Sequence, residues 1–170
     1  PLAWFYDPKQ RNILLQHWPM LQTWSLRIDN WAHSDTVSGI YARVLEDSPK
    51  EVYSTFGQWN ESKNPWLRRL SIVSLLYYSA QRKKALPLPK ILALVEPQID
   101  HDHYYVQKGV GWTLREAGNV YPKETYKFLE KNIQRLSPAA FSAATEKLTK
   151  PQKDHLKDLR KGKQILSRRA

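Results

Sequence analysis

Apolar and polar positions along this chain follow a helical period, and strand alternation is nowhere convincing. The clearest case follows Pro65, where Trp66, Leu70, Val73, Leu76 and Tyr77 recur about once per turn, marking one buried stripe. Proline punctuates the pattern. Ser48-Pro49, Asn64-Pro65 and Ser137-Pro138 each place a capping side chain directly before a proline at the first helical position, where the missing N–H costs nothing. Periodicity and caps together predict helices over 10–27, 34–46, 49–59, 65–80, 89–99, 103–119, 122–134, 138–147 and 151–166.

Helices of this length joined by short polar turns suggest a stacked solenoid more than a closed bundle. Two segments read as one unit used twice, Trp66-Leu67-Arg68-Arg69-Leu70 and Trp112-Thr113-Leu114-Arg115-Glu116. In each, an Arg follows a Trp by three residues, which sets both on one side of a helix. The expected architecture is all-α, a helical-repeat solenoid whose concave face is basic. Residues 1–150 form the domain, and 151–170 a basic carboxy-terminal helix or tail.

Composition narrows the class. With 170 residues, 41% hydrophobic and 25% charged, the chain has the make-up of one folded domain with a real core. Its longest apolar stretch, Leu70 to Ala80, is broken by Ser71, Ser74 and Ser79 and is too short to span a bilayer. No cysteine is present, which excludes disulfides and thiolate metal or redox chemistry. The 27 basic against 16 acidic residues give +11, more than folding requires, and imply an anionic partner. Residues 150–170 carry eight Lys or Arg against Asp154 and Asp158, so 8 − 2 = +6 of that charge lies in the tail. A flexible, solubilising arm is the plain reading of such a tail.

Three blocks carry the candidate chemistry: Asn30-Trp31-Ala32-His33-Ser34-Asp35, then Asn64-Pro65-Trp66-Leu67-Arg68-Arg69, then Tyr104-Tyr105-Val106-Gln107-Lys108-Gly109-Val110-Gly111-Trp112-Thr113-Leu114-Arg115-Glu116. In order and spacing, over roughly residues 20 to 150, they resemble the AlkD-like DNA alkylation repair family. That resemblance implies a HEAT-like repeat protein wrapping double-stranded DNA and hydrolysing the N-glycosidic bond of cationic alkylpurines such as 7-methylguanine and 3-methyladenine, without flipping the base into a pocket. It places the site on Trp31, Asp35, Arg69 and Trp112, with Lys108, Arg115 and Tyr105 as further DNA contacts. Family members carry several more helices before the first block, so amino-terminal helices are expected to be missing here. Ala32, His33 and Ser34 replace a commoner acidic and aliphatic pattern.

Physical chemistry agrees with those assignments. A purine alkylated at N3 or N7 is cationic and can leave as a neutral base without a general acid. Positive charge then builds on the deoxyribose, and a carboxylate at about 4 Å, at an effective dielectric near 20, stabilises it by about 4 kcal/mol, roughly a thousandfold in rate. Asp35 is the candidate carboxylate, and it could also orient or deprotonate the attacking water. Trp31, one turn away, offers its π face to the sugar, with Trp112 opposite. Arg69 suits a phosphate clamp.

Each residue also has a plainer reading: Trp31 and Trp112 as core, Asp35 as a partner of a helix dipole, and Arg69 as an inter-helix ion pair. His101-Asp102-His103 reads as a polar turn and helix cap rather than a metal tract, and Gly109 and Gly111 as close-packing positions between helices. Tyr104, beside Tyr105, is either groove or core. No metal, cofactor or membrane is called for. The expected protein is a monomer in the cytoplasm, associated with the nucleoid. Two other functions stay open, a non-catalytic DNA-structure-binding module and a protein-interaction scaffold.

Overall fold

The structure, a computed structural model, describes residues 14–167 together with Asp7 and Lys9. Nine α-helices and no strand occur among these residues: α1 (Trp18–Ser25), α2 (Trp31–Asp47), α3 (Pro49–Asn60), α4 (Pro65–Val73), α5 (Leu88–Val95), α6 (Tyr104–Val120), α7 (Pro122–Asn132), α8 (Pro138–Ala144) and α9 (Lys150–Ser167). The all-α expectation holds, and the arrangement is consistent with a helical-repeat solenoid.

Two of the three expected capping side chains, Asn64 and Ser137, act as caps, whereas Ser48 makes no side-chain capping hydrogen bond. α3, α4, α7 and α8 all begin on a proline, the Asn64 side chain accepts from Trp66 N–H, and the Ser137 hydroxyl accepts from Ala140 N–H. Several boundaries differ from the sequence pattern, among them the end of α8, expected at 147 and found at Ala144. α1 starts at Trp18, because Pro19 cannot donate to a preceding turn and is tolerated only in the first one; residues 10–13 lie outside the described residues. α2 starts at Trp31 rather than 34, since Asn30 is its N-cap and accepts from His33 N–H at 2.9 Å. The helix expected over 65–80 stops at Val73 and gives way to turns and a 3₁₀ turn at Ser79–Gln81. The one expected over 89–99 ends at Val95, with Pro97 inside a 3₁₀ turn at Glu96–Gln98.

Two staggered layers result. In the first, α2 packs on α4, α4 on α6 and α6 on α8; α1 and α3 cover α2 and α4, α5 covers α4 and α6, and α7 covers α6. Between the layers runs a core containing Trp18, Tyr41, Phe56, Leu70, Ile72, Leu76, Ile91 and Leu114, all essentially inaccessible. Tyr41 keeps its hydroxyl satisfied in that core by donating to Leu21 O at 2.6 Å.

Over residues 150–162 the basic carboxy-terminal stretch is part of a docked helix rather than a free arm. Leu156 of α9 is wholly buried, Gln134 Nε2 donates to Leu159 O, and Arg160 donates to Leu136 O while its guanidinium lies 5.1 Å from the Phe141 ring. An amphipathic helix with one apolar anchor gains more from burial than from solvation.

Gly109 and Gly111 set how closely α6 approaches its neighbours. A Cβ on Gly109 would lie 3.3 Å from Ile72 Cδ1 and Val73 Cγ2 of α4, whereas one on Gly111 would collide with the Ala140 carbonyl oxygen and come within 2.8 Å of Ala143 Cβ on α8. The backbone of α8 cannot yield as a side-chain tip can. Gly111→Ala is therefore expected to destabilise by about 1–3 kcal/mol despite alanine's better helix propensity, lowering Tm by roughly 2–12 °C. Gly57→Ala in α3, where nothing lies within 4 Å, should stabilise slightly. Thermal melts of both variants check the contrast.

Candidate functional site

The exposed edge of the first layer forms a cleft of about 510 Å³, to which every helix of that layer contributes. α2 supplies Trp31 and Asp35, α4 supplies Arg69, and α6 supplies Tyr104, Tyr105, Lys108, Trp112 and Arg115. Ser142 and Ala143 of α8 and Glu146 just after it close the far wall. All seven residues singled out in the sequence thus meet in one place. Helical phase explains it: Trp31 and Asp35 are one turn apart, as are Tyr105, Lys108, Trp112 and Arg115 along α6.

At the centre is an ion pair. Arg69 Nη2 lies 2.6 Å from Asp35 Oδ1, and Nη1 donates to Tyr105 O at 2.8 Å. The guanidinium side chain is only 6% exposed, against 29% for Asp35, so the arginine is a buried strut and the carboxylate faces the cleft. Each Nη uses one of its two N–H groups in these bonds and Nε has no partner, so burial rather than a lack of donors stands against the expected phosphate contact of Arg69. Arg68, its neighbour, turns the other way to Ser62 O, Glu61 O and Gln98 Oε1.

Aromatic rings make the walls. Trp31 is 53% exposed at the start of α2, and Tyr104 also stands open. Trp112 is half-buried, stacked on Tyr77 at 5.5 Å with 29° between planes, and the Arg115 guanidinium sits 5.5 Å from its ring. Trp31 stands clear of the core, Trp112 is partly buried against it as Trp59 is, and Trp18 alone of these lies wholly inside. Tyr105 packs at a tilt, 5.2 Å between ring centres, on Trp66, which places the first Trp of the internal echo behind the wall rather than in it.

The lining carries Arg69, Lys108 and Arg115 against Asp35 and Glu146, 3 − 2 = +1, so most of the +11 lies elsewhere. Arg115 Nη1 bonds Glu146 Oε2 at 2.6 Å. Lys108 is the cleft cation with no carboxylate partner among the described residues.

Sequence reasoning did not single out Glu146, Ser142 and Ala143, which belong to no motif and reach the cleft only because α8 packs on α6. It also passed over Glu116 as a functional support. This buried carboxylate accepts from Ser79 N–H at 2.9 Å and Ser79 Oγ at 2.7 Å. Burial alone would raise its pKa, but the Ser79 donors, Lys147 and Arg115 outweigh burial and hold it below the ordinary glutamate value. His33 stays outside the cleft, beside Asn30 and Asp29 at the start of α2. His101 and His103 form the turn into α6, with His103 at its N-cap and its N–H on His101 Nδ1. Burial, then Arg68, lowers the His101 pKa. Among the described residues no cluster of three or more His, Asp or Glu is placed to hold a metal, and no helix is long and apolar enough to cross a membrane.

Fold and cleft together define an all-helical protein whose stacked layer presents a carboxylate, fixed by a buried arginine, among exposed indoles. The chain belongs to the DNA alkylation repair enzyme family, whose model matches residues 3–148. That membership supports an enzyme acting in DNA repair, with DNA as its partner. Comparison with curated proteins returns no match.

Proposed function

We propose that the protein is an alkylpurine DNA N-glycosylase that hydrolyses the N-glycosidic bond of cationic lesions in duplex DNA without flipping the base. The observation that carries this reading is Asp35, held by Arg69 in the cleft that Trp31 and Trp112 also line. A deoxyribose against the indoles meets a carboxylate whose direction is already set, so little reorganisation accompanies charge development. Asp35 stabilises the oxocarbenium-like sugar and positions water for attack at C1′. Arg69 acts as a positioning residue. Lys108 is the phosphate contact, and Tyr105 and Arg115 shape the wall.

A non-catalytic DNA-binding module is the second reading, favoured by the commitment of Asp35 to an ion pair. Incubating the protein with methylated duplex DNA separates the two. Release of 7-methylguanine and 3-methyladenine, but not of the neutral base hypoxanthine, is expected of the glycosylase. Duplex binding without release would favour the second reading. Affinity should fall linearly with salt on logarithmic axes, and affinity constant between about 50 and 200 mM would remove DNA as the ligand.

A further inference from the structure

The geometry points to Tyr78 as a further DNA-binding residue, whose hydroxyl donates to a backbone phosphate beside the nucleotide held against Trp112. This rests on the DNA-binding reading above. Among the described residues Tyr78 is the only one other than glycine at positive φ, with φ 45° and ψ 80°. A bulky side chain avoids the left-handed region, because its Cβ crowds the following carbonyl. Persistence of such a residue requires the surroundings to enforce it, and such sites cluster where ligands bind.

The enforcing contacts come from the next residue. Glu116 of α6 accepts from both the N–H and the hydroxyl of Ser79, and Asn119 Nδ2 donates to Ser79 Oγ at 3.1 Å and to Glu116 Oε2 at 3.2 Å. Gln81 N–H closes the turn onto Tyr78 O at 2.7 Å. This network ends α4 early and fastens the following turn to α6, four residues after Trp112.

The ring held there is not buried. Tyr78 is 48% exposed, yet it packs edge-on against Trp112 at 5.8 Å and Tyr77 at 4.8 Å. Its hydroxyl makes no hydrogen bond to the described residues. Tyr53, Tyr41 and Tyr121, by contrast, each donate to a backbone carbonyl. A strained, exposed tyrosine with a spare donor is poorly explained by stability alone. A sugar resting on Trp112 brings its own phosphate within a side chain's length of the rings that touch that indole. Tyr78 stands beside the cleft rather than in its lining, against Trp112, and the neighbouring cation Arg115 is already engaged by Glu146, so a neutral O–H donor is what this flank has to offer.

Tyr78→Phe keeps the ring, the strain and the Trp112 contact while removing only the donor. The expected result is a five- to tenfold weaker Kd for duplex DNA at fixed salt. The logarithmic salt slope should not change, because a neutral donor releases no counterion, and neither should the melting temperature. Tyr78→Asn, which tolerates the left-handed conformation, should weaken binding at least as much. Wild-type protein that binds duplex beside a Tyr78→Phe variant with the same Kd would overturn this proposal alone. Wild-type protein that binds no duplex would overturn the underlying DNA reading with it.

Discussion

Asp35→Asn is expected to slow excision of 7-methylguanine by between about twentyfold and about a thousandfold while duplex binding survives. The range follows from the ion pair. An isolated carboxylate about 4 Å from the developing charge, at an effective dielectric near 20, contributes about 4 kcal/mol. A guanidinium on its far side, about 7 Å from the same centre, opposes it by a little over 2 kcal/mol. The remaining 2 kcal/mol or so is about twentyfold in rate. The larger figure applies if Arg69 yields as the sugar approaches. Asparagine preserves shape and one acceptor but removes the charge, so Kd for undamaged duplex should hold or tighten slightly.

The same variant leaves a nearly buried guanidinium without its counter-charge. The cost is about 3 kcal/mol, near the lower end for a broken buried pair because Asp35 retains some solvent. A Tm lowered by roughly 6–12 °C should accompany the kinetic loss, and rates need to be read well below it. An Asp35→Asn variant that excises at the wild-type rate would mean that another group carries the chemistry.

Arg69→Ala carries the second large effect. It frees Asp35 to rotate, deprives Tyr105 O of its donor, and empties the space where Arg69 Cγ packs near Gly109. Destabilisation of about 2–4 kcal/mol and at least a tenfold slower excision are expected, since a misdirected carboxylate forfeits much of its preorganisation. Arg69→Lys should restore only part, as one ammonium cannot hold Asp35 and the Tyr105 carbonyl with a planar fork. Salt dependence tells positioning from phosphate clamping. A strut leaves the logarithmic slope of duplex affinity unchanged, whereas loss of a phosphate contact lowers it by about 0.9.

Much of this protein was legible in one dimension because the signals were local. Helix starts at Pro49, Pro65, Pro122 and Pro138 follow from proline's missing N–H, helped at Pro65 and Pro138 by the Asn64 and Ser137 caps. The gathering of Trp31 with Asp35, and of Tyr105, Lys108, Trp112 and Arg115, follows from a period of 3.6 residues. Gly109 and Gly111 could be read as packing positions because a helix interior otherwise disfavours glycine.

What the tertiary structure decided are matters of partnership between residues far apart in the chain. Arg69 could be a clamp or a strut as far as its own helix is concerned. It is turned inward because Asp35, 34 residues earlier, and the Tyr105 carbonyl, 36 later, converge on it when α2, α4 and α6 pack. The apolar stripe ran on through Leu76 and Tyr77, yet α4 stops at Val73 and Glu116, 37 residues beyond Ser79, takes up the turn that follows. The basic carboxy-terminal stretch looked like a free arm by charge, and only the burial of Leu156 shows that its first part, residues 150–162, docks. Periodicity assigns a residue to a face of its own helix, and what that face meets depends on contacts that no local pattern encodes.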